Sequence, residues 1–344
     1  MKVGLAGFGF AIRHAQVIAA NPFVTEFAIA ELSTDRREQA AREHPQASIF
    51  NDAAEMLQDM EPDCVIVASS SDSHAAITRA ALEAGIHVFS EKPLALSWAE
   101  ARDLKSLADQ AGLIFQAGYI LRYEARHQLL HDHVNSGRLG RVVLIRSKRN
   151  CSRTWFETWG KHSHPVLESM VHDIDLATWL TKQRCVRVSA WGQKFLGGPP
   201  PEAVVAVLEF DGGALAVLET SWLIPDGAPA NIVGPLGRED EGAGVLDAHF
   251  EVHGTSAVET LSLYDPSLML MTDERTYMPE STLFPASALG VGGALRDELF
   301  DFLAHVRGDP HTGVASIDDA VHVQAVVEAI GRATESGTPA AVED

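Results

Sequence analysis

Lys92 is placed where a lysine could take part in a reaction. It stands two residues after His87–Ser90, a short strand pattern typical of a parallel sheet, and Pro93 stops the strand. In open α/β sheets, ligands bind at the carboxyl edge of the strands. A lysine there can donate a hydrogen bond to a hydroxyl or carbonyl oxygen, and Glu91 can reach a ribose. The alternative interpretation is a solvated surface pair.

A second set of reactive side chains follows helical spacing. Residues 166–180 form a helical pattern in which Glu168, His172 and Asp175 stand at i, i+4 and i+7, on one predicted face. A histidine oriented by a carboxylate one turn earlier is suited to general acid and base catalysis. An ordinary surface ion pair, worth about 0.2–0.5 kcal/mol, is the alternative.

His164 extends this spacing, because four residues separate His164 from Glu168 and Glu168 from His172. Such spacing can seat a metal ion on one helix face. Proline is favoured in the first turn of a helix, so Pro165 indicates that the helix begins there and that His164 lies outside it. We therefore predict that no metal is bound.

Residues 1–15 predict a phosphate-binding turn. A short apolar strand runs into Gly7-Phe8-Gly9, and a helical pattern follows from about residue 11. Gly7 permits a tight turn, Gly9 lets the backbone approach a pyrophosphate, and the helix N-terminus offers N–H groups to that anion. Ile12 stands where the third glycine of G-x-G-x-x-G is expected. The cofactor-binding residues predicted here are Gly7, Phe8, Gly9 and Phe10.

The end of the second strand pattern should meet the adenosine ribose of a dinucleotide. Ser33, Thr34 and Asp35 follow Leu32 there, and two arginines come next. Hydroxyl groups followed by arginines favour the 2′-phosphate of NADP. Asp35 is close enough to bind the unphosphorylated ribose of NAD, so NAD remains possible. An ordinary helix start capped by Thr34 or Asp35 is the structural alternative. We predict an NAD(P) site that includes Ser33, with NADP favoured.

Alternating strand and helix patterns position these residues up to about residue 118. Apolar strands are predicted at residues 2–6, 27–32, 64–68, 87–90 and 114–119, and helices at 52–59, 73–84 and 97–110. Such alternation predicts right-handed βαβ crossovers and a parallel sheet. The fold class is therefore α/β, with an N-terminal Rossmann domain, a doubly wound parallel sheet, over residues 1–121.

Longer strand patterns dominate residues 122–344. They are predicted at residues 142–149, 185–194, 203–210, 214–222, 249–254 and 268–272. Asp211-Gly212-Gly213 predicts a hairpin, and residues 225–244, rich in Gly and Pro, predict a loop. We expect a C-terminal α+β domain on a large open, mostly antiparallel sheet. Helices are predicted at 293–306 and 317–335, at the end of the chain. The last of them is a candidate to pack against the first domain.

The chain of 344 residues has a formal net charge of −20. An acidic surface repels phosphate backbones and anionic membranes, so neither a nucleic-acid partner nor a membrane partner is expected. The three cysteines lie far apart, and the sequence does not open on a basic segment followed by a long apolar run. These observations predict a cytoplasmic protein in a reducing compartment.

Taken together, these residues make the chain resemble the Gfo/Idh/MocA family of NAD(P)-dependent oxidoreductases over nearly its whole length. The segments Glu91-Lys92-Pro93 and His172-Asp173-Ile174-Asp175 carry most of the resemblance. The further matching stretches are Gly7-Phe8-Gly9 with His14-Ala15, residues 68–74, residues 80–95, Gly118-Tyr119 with Arg122-Tyr123, and residues 136–142.

The resemblance implies roles for several side chains. Lys92 and His172 would form the catalytic group, with Glu168 where the family usually has aspartate. The residues that fall where relatives line the cofactor are Ser69, Ser70 and His74, and Glu91 is added as a cofactor contact from its position at the end of the strand. In this family the open sheet of the second domain faces a partner subunit, which implies a homodimer or a homotetramer.

The implied reaction is the reversible oxidation of a secondary hydroxyl of a sugar, polyol or sugar acid bound between the domains. His172 would take the hydroxyl proton, and Lys92 would stabilise the developing alkoxide. Candidates for further contacts with substrate are Arg122, Trp155, His162 and His164. Two other functions stay open, namely an NAD-dependent glycosidase with transient redox chemistry and a cofactor-sensing regulator without catalysis.

Overall fold

The computed structural model describes residues 1–159, 163–198, 201–225, 228, 246–263, 270–271, 273, 276–277, 282–287 and 290–343. The chain divides into two compact units. The first comprises Met1–Tyr123 and Leu283–Gln324, and the second Glu124–Thr282 and Ala325–Asp344. Residues 283–324 therefore group with the N-terminal unit, whereas the division predicted after residue 121 places all of them in the second domain.

The first unit is built on a six-stranded parallel sheet. Its strands are β1 (Lys2–Ala6), β2 (Glu26–Ala30), β3 (Ser48–Phe50), β4 (Cys64–Val67), β5 (His87–Glu91) and β6 (Phe115–Gly118). The helices between them are α1 (Ile12–Ala20), α2 (Thr34–Glu43), α3 (Ala53–Met60), α4 (His74–Glu83) and α5 (Trp98–Ala111). The strand order β3-β2-β1-β4-β5-β6, parallel throughout, confirms the predicted Rossmann sheet.

A late segment of the chain completes the core of this unit. Helix α9 (Gly293–Arg307) contributes side chains to the same buried cluster as Leu5 and Ile18. The rings of Phe302 and Phe89 lie 5.6 Å apart between centroids. Burying each such side chain stabilises the fold by about 1.5–3 kcal/mol. This apolar contact explains why residues 283–324 group with the N-terminal sheet. The contributing side chains of α9 are Leu295, Leu299, Phe302 and Leu303.

The second unit is built on a seven-stranded mixed sheet. Its strands are β7 (Val142–Ser152), β8 (Cys185–Gln193), β9 (Ala203–Phe210), β10 (Leu215–Ile224), β11 (Leu246–Gly254), β12 (Val258–Ser262) and β17 (Ala340–Ala341). The order is β12-β11-β7-β10-β9-β8-β17, and β7 with β10 is the parallel pair. The mostly antiparallel sheet and the β9–β10 hairpin at Gly213 are thus confirmed.

Shorter elements complete the description. The remaining strands are β13 (Leu270–Met271), β14 (Thr276–Tyr277), β15 (Ala286–Ser287) and β16 (Gly290–Val291), and the remaining α-helices are α6 (Ala125–Asn135), α7 (Arg153–Trp159), α8 (Val171–Thr181) and α10 (Ile317–Ser336). Of the predicted strand 268–272 only residues 270–271 are described, and most of the predicted loop 225–244 lies outside the described residues. No helix in the described part of the chain is long and apolar enough to cross a membrane.

The helix predicted over residues 166–180 is not regular. Its first part, Val166–Met170, is a π-helical turn, and α8 begins at Val171. A π turn closes i→i+5 hydrogen bonds and is frequent at functional sites. Glu168 lies in this turn and His172 in α8, so the angle between their side chains differs from the value for a regular i, i+4 pair.

Glu124 begins α6 and gives the second unit a predictable response to acid. Its carboxylate accepts the backbone N–H groups of Arg126 and His127 and the ring Nδ1–H of His127. Burial alone would raise the pKa of Glu124, but the hydrogen bond and charge of His127, then those of Arg126, lower it to about 2. Because this pKa lies below the ordinary 4.5, Glu124 stabilises the fold above about pH 4.5 and loses that contribution towards pH 2. We expect Glu124→Gln to flatten the loss of stability between those pH values, measured as urea midpoints. An unchanged slope would contradict this account.

Candidate functional site

The carboxyl edge of the first sheet gathers polar and glycine residues from adjacent strands. Gly7 follows β1, Glu31 follows β2, Ser69 follows β4, and Lys92 follows β5. Because these strands are parallel and neighbours in the sheet, the four positions lie along one edge. This is the edge at which open α/β sheets bind ligands.

The glycine turn allows a close approach of backbone. Gly7 has φ +100°, and a Cβ there would lie 2.7 Å from the Ala68 carbonyl oxygen, so only glycine fits without strain. A Cβ on Gly9 would meet the Arg36 guanidinium, a flexible group that could move. Gly7 is therefore required by the fold, whereas the missing side chain at Gly9 leaves room that the Arg36 guanidinium occupies. An uncovered backbone at this position is what the close approach of a pyrophosphate requires.

Helix α1 begins without the third glycine of the motif. Ile12 is its first residue and packs, partly buried, against the core cluster of this unit. The Phe8 ring is fully buried in that cluster, so Phe8 could meet a cofactor only through its backbone. The Phe10 ring is 68% exposed.

Glu31 is the functional candidate that the sequence analysis missed. Its carboxylate accepts the Phe8 N–H at Oε2 and the Ser33 N–H at Oε1, both at 2.8 Å. The side chain therefore lies against the glycine turn, where an acidic residue at the end of the second strand meets the adenosine ribose. The strand ends at Ala30, two residues before the predicted end, and this difference explains why the prediction names Ser33 and Asp35 instead of Glu31.

The arginines after β2 have different surroundings. Arg37 donates to the carbonyl oxygens of Glu31 and Leu32 and to Thr34 Oγ1, which ties it to the start of α2. Arg36 is exposed, and its guanidinium lies over Gly9. The group nearest the expected ribose position is thus a carboxylate, and only one of the two arginines that supported the NADP prediction, Arg37, is committed to the backbone.

The segment after β4 forms a hydroxyl-rich turn. Ser73 Oγ lies 2.7 Å from Ser69 Oγ and donates to the Ser70 carbonyl oxygen at 2.7 Å. His74 is buried, with Nδ1 2.8 Å from the Pro93 carbonyl oxygen and Nε2 3.2 Å from that of Ser69. His74 therefore joins the turns after β4 and β5.

Lys92 and Glu91 differ in exposure at the end of β5. Lys92 is partly exposed, and the Lys92–Pro93 peptide bond is cis. Glu91 is 8% exposed, and its carboxylate bonds to His14 and to the Lys92 backbone N–H. Lys92 can thus reach a ligand at the sheet edge, whereas Glu91 is held in the protein.

The second unit carries His172 and Glu168. His172 is partly buried near the start of α8, and Glu168 accepts the Ser163 hydroxyl at 2.7 Å. His164 precedes the π turn, and its Nδ1 lies 3.4 Å from the Leu167 N–H. Burial lowers the pKa of His164, and the charge of Glu168 opposes that shift.

A buried ion pair fastens α8 to the sheet. Asp173 accepts Arg149 Nε at 2.8 Å and Arg149 Nη2 at 3.0 Å, and it also accepts the Ser147 hydroxyl at 2.7 Å. Arg149 and Asp173 are both buried. Because Asp173 follows His172 directly, this fork fixes the helix turn that carries the histidine.

The remaining substrate candidates fall in different settings. Arg122 is 1% exposed and donates to the Val314 carbonyl oxygen and to Asp319, which ties down a loop of the first unit. These bonds give Arg122 a structural role, which contradicts its prediction as a substrate ligand. Trp155 lies partly buried on α7, and His162 lies outside the described residues. Among the described residues no cluster of three His, Cys, Asp or Glu side chains has metal-binding geometry.

Comparisons with known proteins agree with this arrangement. Residues 1–119 match a family model described as an oxidoreductase family with an NAD-binding Rossmann fold, and residues 127–258 match the GFO/IDH/MocA C-terminal domain. Myo-inositol 2-dehydrogenase of Thermotoga maritima is 26% identical over 229 residues, 64% of this chain and 68% of that protein. D-glucoside 3-dehydrogenase of Escherichia coli is 21% identical over 350 residues, 94% of this chain and 92% of that protein.

Solved structures show the same fold. Scyllo-inositol dehydrogenase from Lactobacillus casei, with bound NAD(H) and scyllo-inositol, superposes with a TM-score of 0.80 at 21% identity, covering 99% of each chain. Both domain matches name one family. The chain therefore belongs to the Gfo/Idh/MocA family of oxidoreductases, with an NAD-binding Rossmann domain at its N-terminus.

Proposed function

We propose that this protein is an NAD-dependent dehydrogenase that oxidises a secondary hydroxyl on the ring of a polyol or sugar. The carrying observation is the sheet edge on which Gly7, Glu31 and Lys92 follow adjacent parallel strands. Two relatives support the substrate class, because their names give ring hydroxyls of an inositol and of a glucoside as the sites of oxidation.

The proposed chemistry divides between two side chains. When bound, NAD supplies the acceptor for the two electrons and the hydrogen removed from the carbon. His172 takes the hydroxyl proton as general base, and the Lys92 ammonium donates a hydrogen bond to the same oxygen as negative charge develops. Glu168 orients the His172 side chain. Trp155, His162 and His164 remain proposed contacts for other substrate hydroxyls.

The cofactor itself is held by the first unit in this proposal. The Gly7 turn and the α1 N-terminus receive the pyrophosphate, Ser69 and Ser70 lie beside it, and Glu31 accepts a ribose hydroxyl. A 2′-phosphate would stand next to the Glu31 carboxylate and be repelled. We therefore propose NAD over NADP, which reverses the preference inferred from Ser33 and the two arginines.

Replacing Glu31 with serine is expected to weaken NAD binding by about 1.5–3 kcal/mol, the contribution of one hydrogen bond to a charged group. The same exchange removes the repulsion, so NADP should bind more tightly than to the wild type. Dissociation constants for NADH and NADPH, measured by fluorescence, test both changes. Glu26→Ser, at the opposite end of β2 and exposed, is the matched control. Tighter wild-type binding of NADPH than of NADH would refute the proposal.

A screen of inositols, aldoses, glycosides and sugar acids with NAD tests the substrate class. NADH formation with a cyclic polyol or sugar is the expected result. Release of an aglycone without net NADH formation would support the glycosidase alternative. Tight NADH binding without turnover of any of these compounds would support the regulator alternative.

We further propose that a second copy covers the open face of the seven-stranded sheet. Along β9, Val204, Ala206 and Leu208 are buried, whereas the alternate residue Val205 is 42% exposed and pairs with the exposed Trp191 of β8. Apolar side chains on an open face favour association. Sedimentation should show a dimer or tetramer that Val205→Glu dissociates.

The cytoplasmic location stays a prediction.

A further inference from the structure

A buried histidine–glutamate pair contacts the backbone of Lys92 in the first unit. His14, on α1, is 2% exposed, and its Nε2 lies 2.8 Å from Glu91 Oε1. The other carboxylate oxygen, Oε2, accepts the Lys92 backbone N–H at 3.2 Å. One carboxylate therefore connects α1 to the backbone of Lys92.

The charges of the pair suit this connection. A carboxylate only accepts hydrogen bonds, so His14 donates through Nε2. Burial alone would raise the pKa of Glu91, but the hydrogen bond and charge of His14, then the charges of Lys92 and His74, outweigh it and lower that pKa. Glu91 is thus an ionised acceptor at neutral pH.

The neighbouring strand leaves Glu91 little freedom. Gly118 of β6 pairs with Glu91 in the sheet, and a Cβ on Gly118 would lie 3.0 Å from Glu91 Oε2 and 3.1 Å from its Cα. The carboxylate is therefore bonded through both oxygens and packed against the Gly118 backbone. The far side of the same turn is held by His74, whose Nδ1 lies 2.8 Å from the Pro93 carbonyl oxygen.

We infer that His14 and Glu91 are positioning residues for Lys92, with Glu91 serving to fix the Lys92 backbone instead of binding the cofactor ribose. This inference rests on the role proposed for Lys92. Glu91 holds the N–H at which the lysine leaves the strand, and His14 holds Glu91. A small displacement of a reacting group, about 1 Å, can lower a rate by about 10²-fold.

His14→Phe tests the pair by keeping a ring and removing the donor. We expect kcat to fall by about 10²-fold while NADH affinity is unchanged. Glu91→Gln should keep most of the wild-type kcat, because its amide oxygen accepts the Lys92 N–H and its NH₂ donates to His14 Nε2 once the ring takes the tautomer with its proton on Nδ1. His44→Phe, the same exchange at another buried histidine of this unit, should leave kcat unchanged. Weakened NADH binding with unchanged kcat in His14→Phe would make the pair a cofactor contact and overturn the inference.

A second measurement is independent of turnover. Reductive methylation with ¹³C-formaldehyde gives each accessible lysine an NMR signal, and Lys92→Arg identifies the signal of Lys92. In His14→Phe this signal should move in chemical shift and in its pH titration, whereas in His44→Phe it should not. A Lys92 signal that superposes on the wild-type signal in His14→Phe would overturn the inference. If the wild type oxidised no polyol, the proposed function would fail, and this signal would still decide the role of the pair.

Discussion

Replacing His172 with asparagine is expected to lower kcat for polyol oxidation by about 10²–10⁴-fold, the usual contribution of a general base. Asparagine keeps a polar side chain but cannot take the hydroxyl proton. His172 belongs to the second unit, and the residues proposed for cofactor binding belong to the first. NAD affinity should therefore stay unchanged, so that the loss appears in kcat.

The pH dependence separates this role from a purely structural one. Histidine changes its charge between about pH 5 and 8, so a base at this position gives the oxidation rate an acid limb. His172→Asn should lose that limb. His253→Asn, the same exchange on β11 of the same unit, should keep it. If His172→Asn oxidised polyols at the wild-type rate, another group would be the base.

The sequence predicted the first sheet closely because its signal is local. Buried parallel strands are short and apolar, and β1, β4 and β5 were placed within one residue of their observed bounds. The strand without any prediction is β3, Ser48–Phe50, which has three residues, none of them fully buried. So short a segment at the sheet edge carries no periodicity to detect.

Glu31 shows how a small boundary error changes a functional prediction. The apolar pattern was extended to Leu32, but that side chain is exposed and the strand ends at Ala30. The prediction that follows from the longer strand therefore places the ribose contact among Ser33, Thr34 and Asp35. The carboxylate of Glu31 was visible in the sequence, but its hydrogen bond to Phe8 depends on the three-dimensional turn.

Other features depend on contacts between residues distant in sequence. Arg122 is a reasonable substrate ligand by residue type, yet its guanidinium is buried and donates to Asp319, which lies 197 residues later in the chain. The π turn around Glu168 differs from an α-helix by one residue in its hydrogen-bond spacing, which hydrophobic periodicity does not resolve over five residues. Neither property could be inferred from local pattern.

Replacing Asp173 with alanine is expected to lower the free energy of unfolding by about 3–5 kcal/mol, because it leaves the Arg149 guanidinium buried without its carboxylate. The cost falls on Arg149, since Ser147 Oγ also lies 3.1 Å from the His249 carbonyl oxygen and can donate there instead. Urea unfolding measures the change. Asp247→Ala is the matched control, because its partner Lys148 is 40% exposed and such pairs contribute only about 0.2–1 kcal/mol.

A double variant distinguishes the two ways in which this ion pair could matter. Arg149→Met combined with Asp173→Leu removes both charges, and such replacements of buried pairs are often neutral or stabilising. We therefore expect the double variant to recover the stability lost in Asp173→Ala. If the Arg149–Asp173 ion pair orients the α8 turn that carries His172, the kcat of the double variant should remain low. Apolar side chains restore the packing energy, but they do not form the directional hydrogen bonds that orient the turn. Recovery of both stability and kcat in the double variant would mean that the ion pair does not position His172. A loss of unfolding free energy in Asp173→Ala no larger than in Asp247→Ala would mean that the ion pair does not hold α8.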